Sequence, residues 1–171
     1  MRDDIAEAYD RRDLSPEGHR YAYTELAKTV SPEWADAVYE QVARPETWVP
    51  YADALAVVGA LEQRGIPAGV VSNAGFDIRA ILRHHGFAGL ADRCTISYEV
   101  GVMKPGPEIF LAALERLGTT AQQTLMVGDN EEADGGAAAV GMEVLILPMN
   151  PPGEAQGLDA VLRRLGRTPS A

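Results

Sequence analysis

One cysteine among 171 residues means that no internal disulfide can form. That suits a reducing compartment, and a cytoplasmic location is the expectation. Basic residues are also scarce: 15 Lys and Arg stand against 25 Asp and Glu, for a formal net charge of −10. A chain this acidic offers no basic footprint for a phosphate backbone, so nucleic acid is excluded as an expected partner. No apolar run approaches the roughly 20 residues that cross a bilayer, which excludes a membrane partner of that kind. The opening residues, MRDDIAEAYDRRD, are charged and lack the apolar stretch of a secretory signal. Internal repeats and low-complexity tracts are missing as well.

What is there is an ordinary globular composition, 46% apolar over 171 residues, enough for one domain or one domain with a small appendage. Cys94 lies in an apolar stretch and reads as a small core residue. Residues 1–44 read as helices without a strand. Ser15-Pro16 and Ser31-Pro32 are start signals, an N-cap residue followed by proline at the first helical position. Trp34, Val38 and Val42 recur at helical spacing and read, like Tyr21, as packing positions. The stretch from Arg44 to Tyr51, with Pro45 and Pro50, is a connection.

From Tyr51 the pattern becomes an alternation of helix and strand. Asp53 reads as the N-cap of a helix that Gly65 ends. Buried strands are predicted over Ile66–Val71, Cys94–Ser97, Thr124–Val127 and Glu143–Leu147. Helices are predicted from Gly75 to His85, from Pro107 to Leu117, after Asp129 up to Gly141, and at the end through Leu158, Val161, Leu162 and Leu165. His84 and His85 sit at a helix C-terminus, where their charge suits the dipole, and read as surface or packing residues. The alternation predicts an α/β, Rossmann-like parallel sheet with helices on both faces.

Polar residues cluster where three successive strand units end. Ser72-Asn73 offers a hydroxyl and backbone N–H groups opening a helix, an anion site. Lys104 supplies a positive charge for a phosphate. Asp129 and Asp134 sit at or just beyond a strand end, where ligands bind in open α/β sheets, and suit a hard cation such as Mg2+. Taken singly, each has a plainer reading: Ser72 as a helix cap, Lys104 as a solvated loop charge, Asp134 as a residue favouring a helix N-terminus.

The stretches VVSNAGFDIRAIL, EVGVMKPGPEIFLAALERLG and LMVGDNEEADGGAAAVGM, in that order, resemble the second, third and fourth motifs of the haloacid dehalogenase-like (HAD) hydrolase superfamily, in its helical-cap branch. The resemblance runs from about Trp48 to Leu147. It implies that residues 1–47 are part of a helical cap and 48–171 an α/β core. It also implies that Ser72, Asn73 and Lys104 bind phosphate, that Lys104 and Asp129 serve catalysis, and that Asp129 and Asp134 serve a Mg2+ site. The spacing GDxxxxD resembles the metal-dependent phosphatases, so a small phosphorylated substrate is implied.

The family's first motif, DxD, carries the nucleophilic aspartate on a central strand, and no DxD occurs in this sequence. The expectation is therefore a HAD-like phosphatase chain lacking that segment. Its sheet would be left with a gap or a new pairing between the strands that end at Ser72 and Asp129. The alternatives are a catalytically inactive remnant that binds anion, Mg2+ or protein, and a chain that pairs with another supplying the missing strand.

Overall fold

The computed structural model describes residues 3–166. Three helices come first: α1 (Asp3–Asp10), α2 (Pro16–Lys28) and α3 (Ala35–Val42). Helix α2 starts where the sequence predicts. Ser15 is extended, its Oγ accepts from the Gly18 N–H at 3.0 Å, and Pro16 occupies the first turn. Ile5, Ala22 and Ala35 are fully or almost fully buried. The expected stripe on α3 is displaced by one residue: Ala35 is inside, whereas Trp34 is 62% and Val38 53% exposed. Close approach of α3 to α2 selects the small side chain and turns the large ones outward.

Four parallel strands follow, β1 (Val70–Ser72), β2 (Cys94–Ile96), β3 (Leu125–Gly128) and β4 (Glu143–Ile146). Between and around them lie α4 (Ala54–Gln63), α5 (Arg79–His84), α6 (Ala88–Ala91), α7 (Ser97–Val100), α8 (Pro107–Leu117), α9 (Glu131–Gly135) and α10 (Asp159–Leu165). The strands form two pairs. β1 runs beside β2 with Val70 opposite Cys94, and β3 beside β4 with Leu125 opposite Glu143. No ladder joins β1 to β3. A cavity of about 580 Å³ lies against both, lined by Val70, Val71 and Leu125–Asp129. The gap is thus the outcome, rather than a new pairing.

Helix α8 supplies the main apolar layer. Ile109 and Phe110 are fully buried and pack with Leu114, Met126, Ala137 and Met142. A second cluster joins Ala74, Cys94 and Ile96. Cys94 is the core residue expected, and burial pushes its thiol pKa up to about 11.

Two local expectations are corrected. Helix α5 begins at Arg79, four residues later than Gly75. Gly75 is pressed against the start of α2, where a Cβ would lie 2.4 Å from His19 Cβ and 2.6 Å from the Arg12 carbonyl oxygen. Asp53 stands before α4 but does not cap it. Its carboxylate instead accepts from the N–H groups of Gln156, Gly157 and Leu158 at 3.1, 2.8 and 2.8 Å, satisfying the entry to α10. Burial alone would raise the Asp53 pKa, but these N–H groups outweigh it and the net shift is downward from 3.8.

Since the folded-state pKa lies below the unfolded one, this contribution is complete above the unfolded value. It is lost as pH falls through the folded value. Asp53→Ala is expected to cost about 1 kcal/mol near neutrality. The gap between the variant and the parent should close in acid, as followed by urea unfolding from pH 7 to pH 2. A cost that stays constant over that range would contradict the assignment.

Candidate active site

The carboxyl ends of β1 and β3 are tied together by side chains. Asn73, just past β1, grips the backbone of Lys104 from both sides. Its Oδ1 accepts from the Lys104 N–H at 2.7 Å and its Nδ2 donates to the Lys104 carbonyl at 3.0 Å. The amide thereby acts as one rung of a strand, fixing a loop residue that has no ladder of its own. The grip sends the Lys104 ammonium inward, where Nζ lies 2.6 Å from Asp134 Oδ1. Their side chains are only 13% and 4% exposed.

Asp134 is held at its other oxygen too. Oδ2 accepts from the N–H groups of Asp129 and Asn130 at 3.1 and 3.0 Å, on the turn that leaves β3. The carboxylate can reach that turn because residue 128 is glycine: a Cβ there would lie 2.0 Å from Asp134 Oδ2. Asn130, and not one of the acidic residues, caps α9, its Oδ1 accepting from the Ala133 N–H at 2.8 Å.

Asp129 is the carboxylate left facing open space. Its Oδ2 has the Tyr51 hydroxyl and Gln156 Nε2 at 3.4 Å, both long contacts, and it lines the large cavity with Lys104 and Asp134. Burial, and then the Asp129 charge, raise the Tyr51 pKa. Among the described residues no group of three or more His, Cys, Asp or Glu is placed to hold a metal. Mg2+ does not need one, since it is commonly held by one or two carboxylates together with waters and substrate phosphates. Asp129 fits that role as a direct ligand. Asp134, with both oxygens engaged, fits behind it as the group that sets the Asp129 turn.

Ser72 faces elsewhere. It lines a smaller cavity of about 250 Å³ with Asn73, Arg12, Asp13, His19 and Tyr23, between β1 and the first helices. Its hydroxyl has no hydrogen bond among the described residues. The anion site expected from backbone N–H groups after Ser72 is not built that way. No helix begins there, and the Ala74 N–H already donates to Ser97 Oγ at 3.0 Å. Ser97, fully buried, in turn donates to the Asp13 carbonyl at 2.5 Å and so pins the first helices to the β1 loop. His19 is buried, with Nδ1 3.0 Å from the Tyr39 hydroxyl; burial lowers its pKa, and the Asp13 charge only partly opposes this. His84 and His85 lie outside the site, His85 Nε2 being 2.9 Å from the Pro45 carbonyl.

Of the residues singled out in the sequence, Ser72, Asn73, Lys104, Asp129 and Asp134, the structure links the last four through hydrogen bonds. Tyr51, Ser97 and Gln156 were not singled out. Ser97 carried only the weak signal of a polar residue at a buried strand's end, and Gln156, in a loop, carried none.

A family model for haloacid dehalogenase-like hydrolases matches residues 5–141. The chain belongs to this family. It is 33% identical over 100 residues to haloacid dehalogenase-like hydrolase domain-containing protein 3 of Danio rerio, covering 58% of this chain and 41% of that one. It is 33% identical over 113 residues to the ribulose-1,5-bisphosphate 5-phosphatase of Halopiger xanaduensis, covering 65% and 46%. The chain thus spans less than half the length of these two relatives. The crystal structure of a HAD phosphatase from Thermococcus onnurineus superposes with a TM-score of 0.70 at 26% identity, covering 95% of this chain and 77% of that one. The α/β fold and the hydrolase family of the sequence reading are the ones found.

Proposed function

We propose that the edge formed by Asn73, Lys104, Asp129 and Asp134 is the phosphate- and Mg2+-binding half of a phosphate-ester hydrolase site. The observation that carries this reading is the buried Lys104–Asp134 pair whose far oxygen holds the Asp129 turn. In this arrangement Asp129 is kept free to hold Mg2+ and Lys104 brings a cation to the same cavity. The phosphatase names among the relatives agree with that chemistry. The metal would neutralise phosphoryl oxygens. Lys104 orients the phosphate and offsets its charge, and Asp134 holds both Lys104 and the turn in register. The substrate is a small phosphorylated molecule. Residues 1–47 act as a cap whose Arg12, His19 and Tyr23 enclose the cavity over Ser72.

Hydrolysis through a phosphoenzyme needs a carboxylate or hydroxyl nucleophile with its own proton acceptor. Lys104 and Asp134 are spent on each other, Asp129 is assigned to the metal, and Ser72 has no base within hydrogen-bond reach. The chain alone is therefore expected to bind Mg2+ and inorganic phosphate weakly and to show no turnover of an aryl phosphate above background. Calorimetric or NMR titration of Mg2+ into the parent and Asp129→Asn tests the binding, and identical responses would refute it. Metal-dependent turnover that disappears in Asp129→Ala would show that the chain holds its own nucleophile.

A further inference from the structure

We infer that the cavity between β1 and the first helices binds a compact aromatic alcohol, whose hydroxyl is received by the Asp13 carboxylate. The side chain of Asp13 is only 8% exposed, yet among the described residues no donor comes within hydrogen-bond reach of it. Arg12 Nε stops 3.7 Å away and His19 Nε2 3.9 Å away. Both are held back. Arg12 Nη1 donates to the Tyr9 carbonyl at 2.6 Å, and the guanidinium lies 3.9 Å from the centroid of the Tyr9 ring. His19 has the Tyr39 hydroxyl 3.0 Å from Nδ1, and its ring packs between those of Tyr23 and Phe76, with centroids 4.5 and 5.1 Å away. Asp13 thus has a positive charge beside it, but its oxygens are left without a donor. A buried carboxylate in that condition is costly, and a ligand that donates to it relieves the cost.

The Ser72 hydroxyl lines the same cavity and has no hydrogen bond among the described residues. Asp13 needs a donor and the Ser72 proton needs an acceptor, and a hydroxyl group is both. Water would meet the same need at the polar end. The rest of the wall, however, is Val42, Phe76, Ile78, Ile81 and Leu82, which favour an apolar body over water. The volume is about 250 Å³. A cavity of about 150 Å³ takes benzene, so one ring with a short hydroxylated arm fits here. Trp48 lines the wall and is 44% exposed, which gives the cavity a side open to solvent.

Charge decides between an alcohol and an amine. Aromatic walls around a carboxylate would suit an ammonium group. Here the Arg12 guanidinium already stands beside Asp13 and would repel a second cation. An ammonium group also has no lone pair to accept from the Ser72 hydroxyl. Asn73 lines this cavity and grips the Lys104 backbone, so the pocket adjoins the Lys104 edge. On the phosphate-ester reading above, and resting on it, the pocket takes the alcohol portion of the substrate.

The test uses the full chain and three probes of one shape: benzyl alcohol, toluene and benzylamine, the last protonated at neutral pH. An NMR titration is expected to show saturable binding of benzyl alcohol, with shifts at the Asp13, Ser72 and Phe76 amides. Toluene should bind at least about tenfold more weakly, because it leaves the buried polar groups unpaired. Benzylammonium should also bind more weakly than the alcohol. Asp13→Leu should abolish the preference for the alcohol while toluene still binds, which shows that the cavity is still formed. If that variant fails to fold, the comparison of the three probes on the parent decides. Equal affinity for benzyl alcohol and toluene, tighter binding of benzylammonium, or no binding of the alcohol would overturn the proposal. So would a folded Asp13→Leu protein that keeps the preference. The titration contains neither Mg2+ nor phosphate, so its failure and that of the Mg2+ titration are read separately.

Discussion

Gly128→Ala is expected to lower the unfolding free energy by at least about 3 kcal/mol and to erase the Mg2+ response with it. The added methyl would sit 2.0 Å from Asp134 Oδ2 and 2.2 Å from its carboxyl carbon. Asp134 is 3% exposed and cannot swing into solvent without breaking its bonds to Lys104 and to the Asp129 and Asn130 amides. Nor can β3 move aside easily, since its Gly128 carbonyl is bonded to the Leu147 N–H at 2.8 Å. Urea unfolding measures the stability and calorimetry the metal response. A variant with parental stability would mean that the Gly128–Asp134 contact is loose in solution. One that is destabilised yet still binds Mg2+ would separate Asp129 from its support.

Lys104→Met should be comparably damaging, by about 3–5 kcal/mol, because it strands a buried carboxylate without its cation. The pair is short and deeply placed, at 2.6 Å with side chains 13% and 4% exposed. Solvent does little to screen it, unlike the exposed Arg20 bridges to Asp36 and Glu40. Most of the loss should return in the double variant Lys104→Met, Asp134→Asn. The asparagine oxygen can still accept from the Asp129 and Asn130 amides, while the unpaired charge is gone. The double-mutant cycle therefore separates the charge from the hydrogen bonds. Additive losses would show that the two side chains are not energetically coupled. Without Mg2+, the double variant should still lack phosphate binding, since no cationic side chain remains at that edge.

The order of elements was legible in the sequence because it depends on neighbours along the chain. Ser15-Pro16 starts α2, Pro107 starts α8, and Gly118 and Gly141 end their segments in left-handed backbone. The runs around Val70, Cys94, Met126 and Val144 could be read as strands because the four are apolar on both faces. The site residues were legible for a related reason. Side chains at strand ends in a parallel α/β arrangement arrive at one edge whatever the loops between them do. What each of them does there was decided by atoms far away in the chain. Asp134 could be recognised as acidic, but only its distance to Lys104, 30 residues earlier, makes it a buried anchor and leaves Asp129 as the carboxylate facing the cavity. Asp53 looks like a cap for the helix it precedes, yet its carboxylate holds the loop that leads into α10, more than 100 residues later. Such a contact needs only a carboxylate near free N–H groups, and chain distance does not enter. Trp34 and Ala35 exchange inside and outside because helix rotation is set by how closely α2 and α3 approach. The division into two strand pairs is likewise a tertiary fact. A strand's own residues determine that it is extended and apolar, while the partner on each edge depends on what chain is present to bond there.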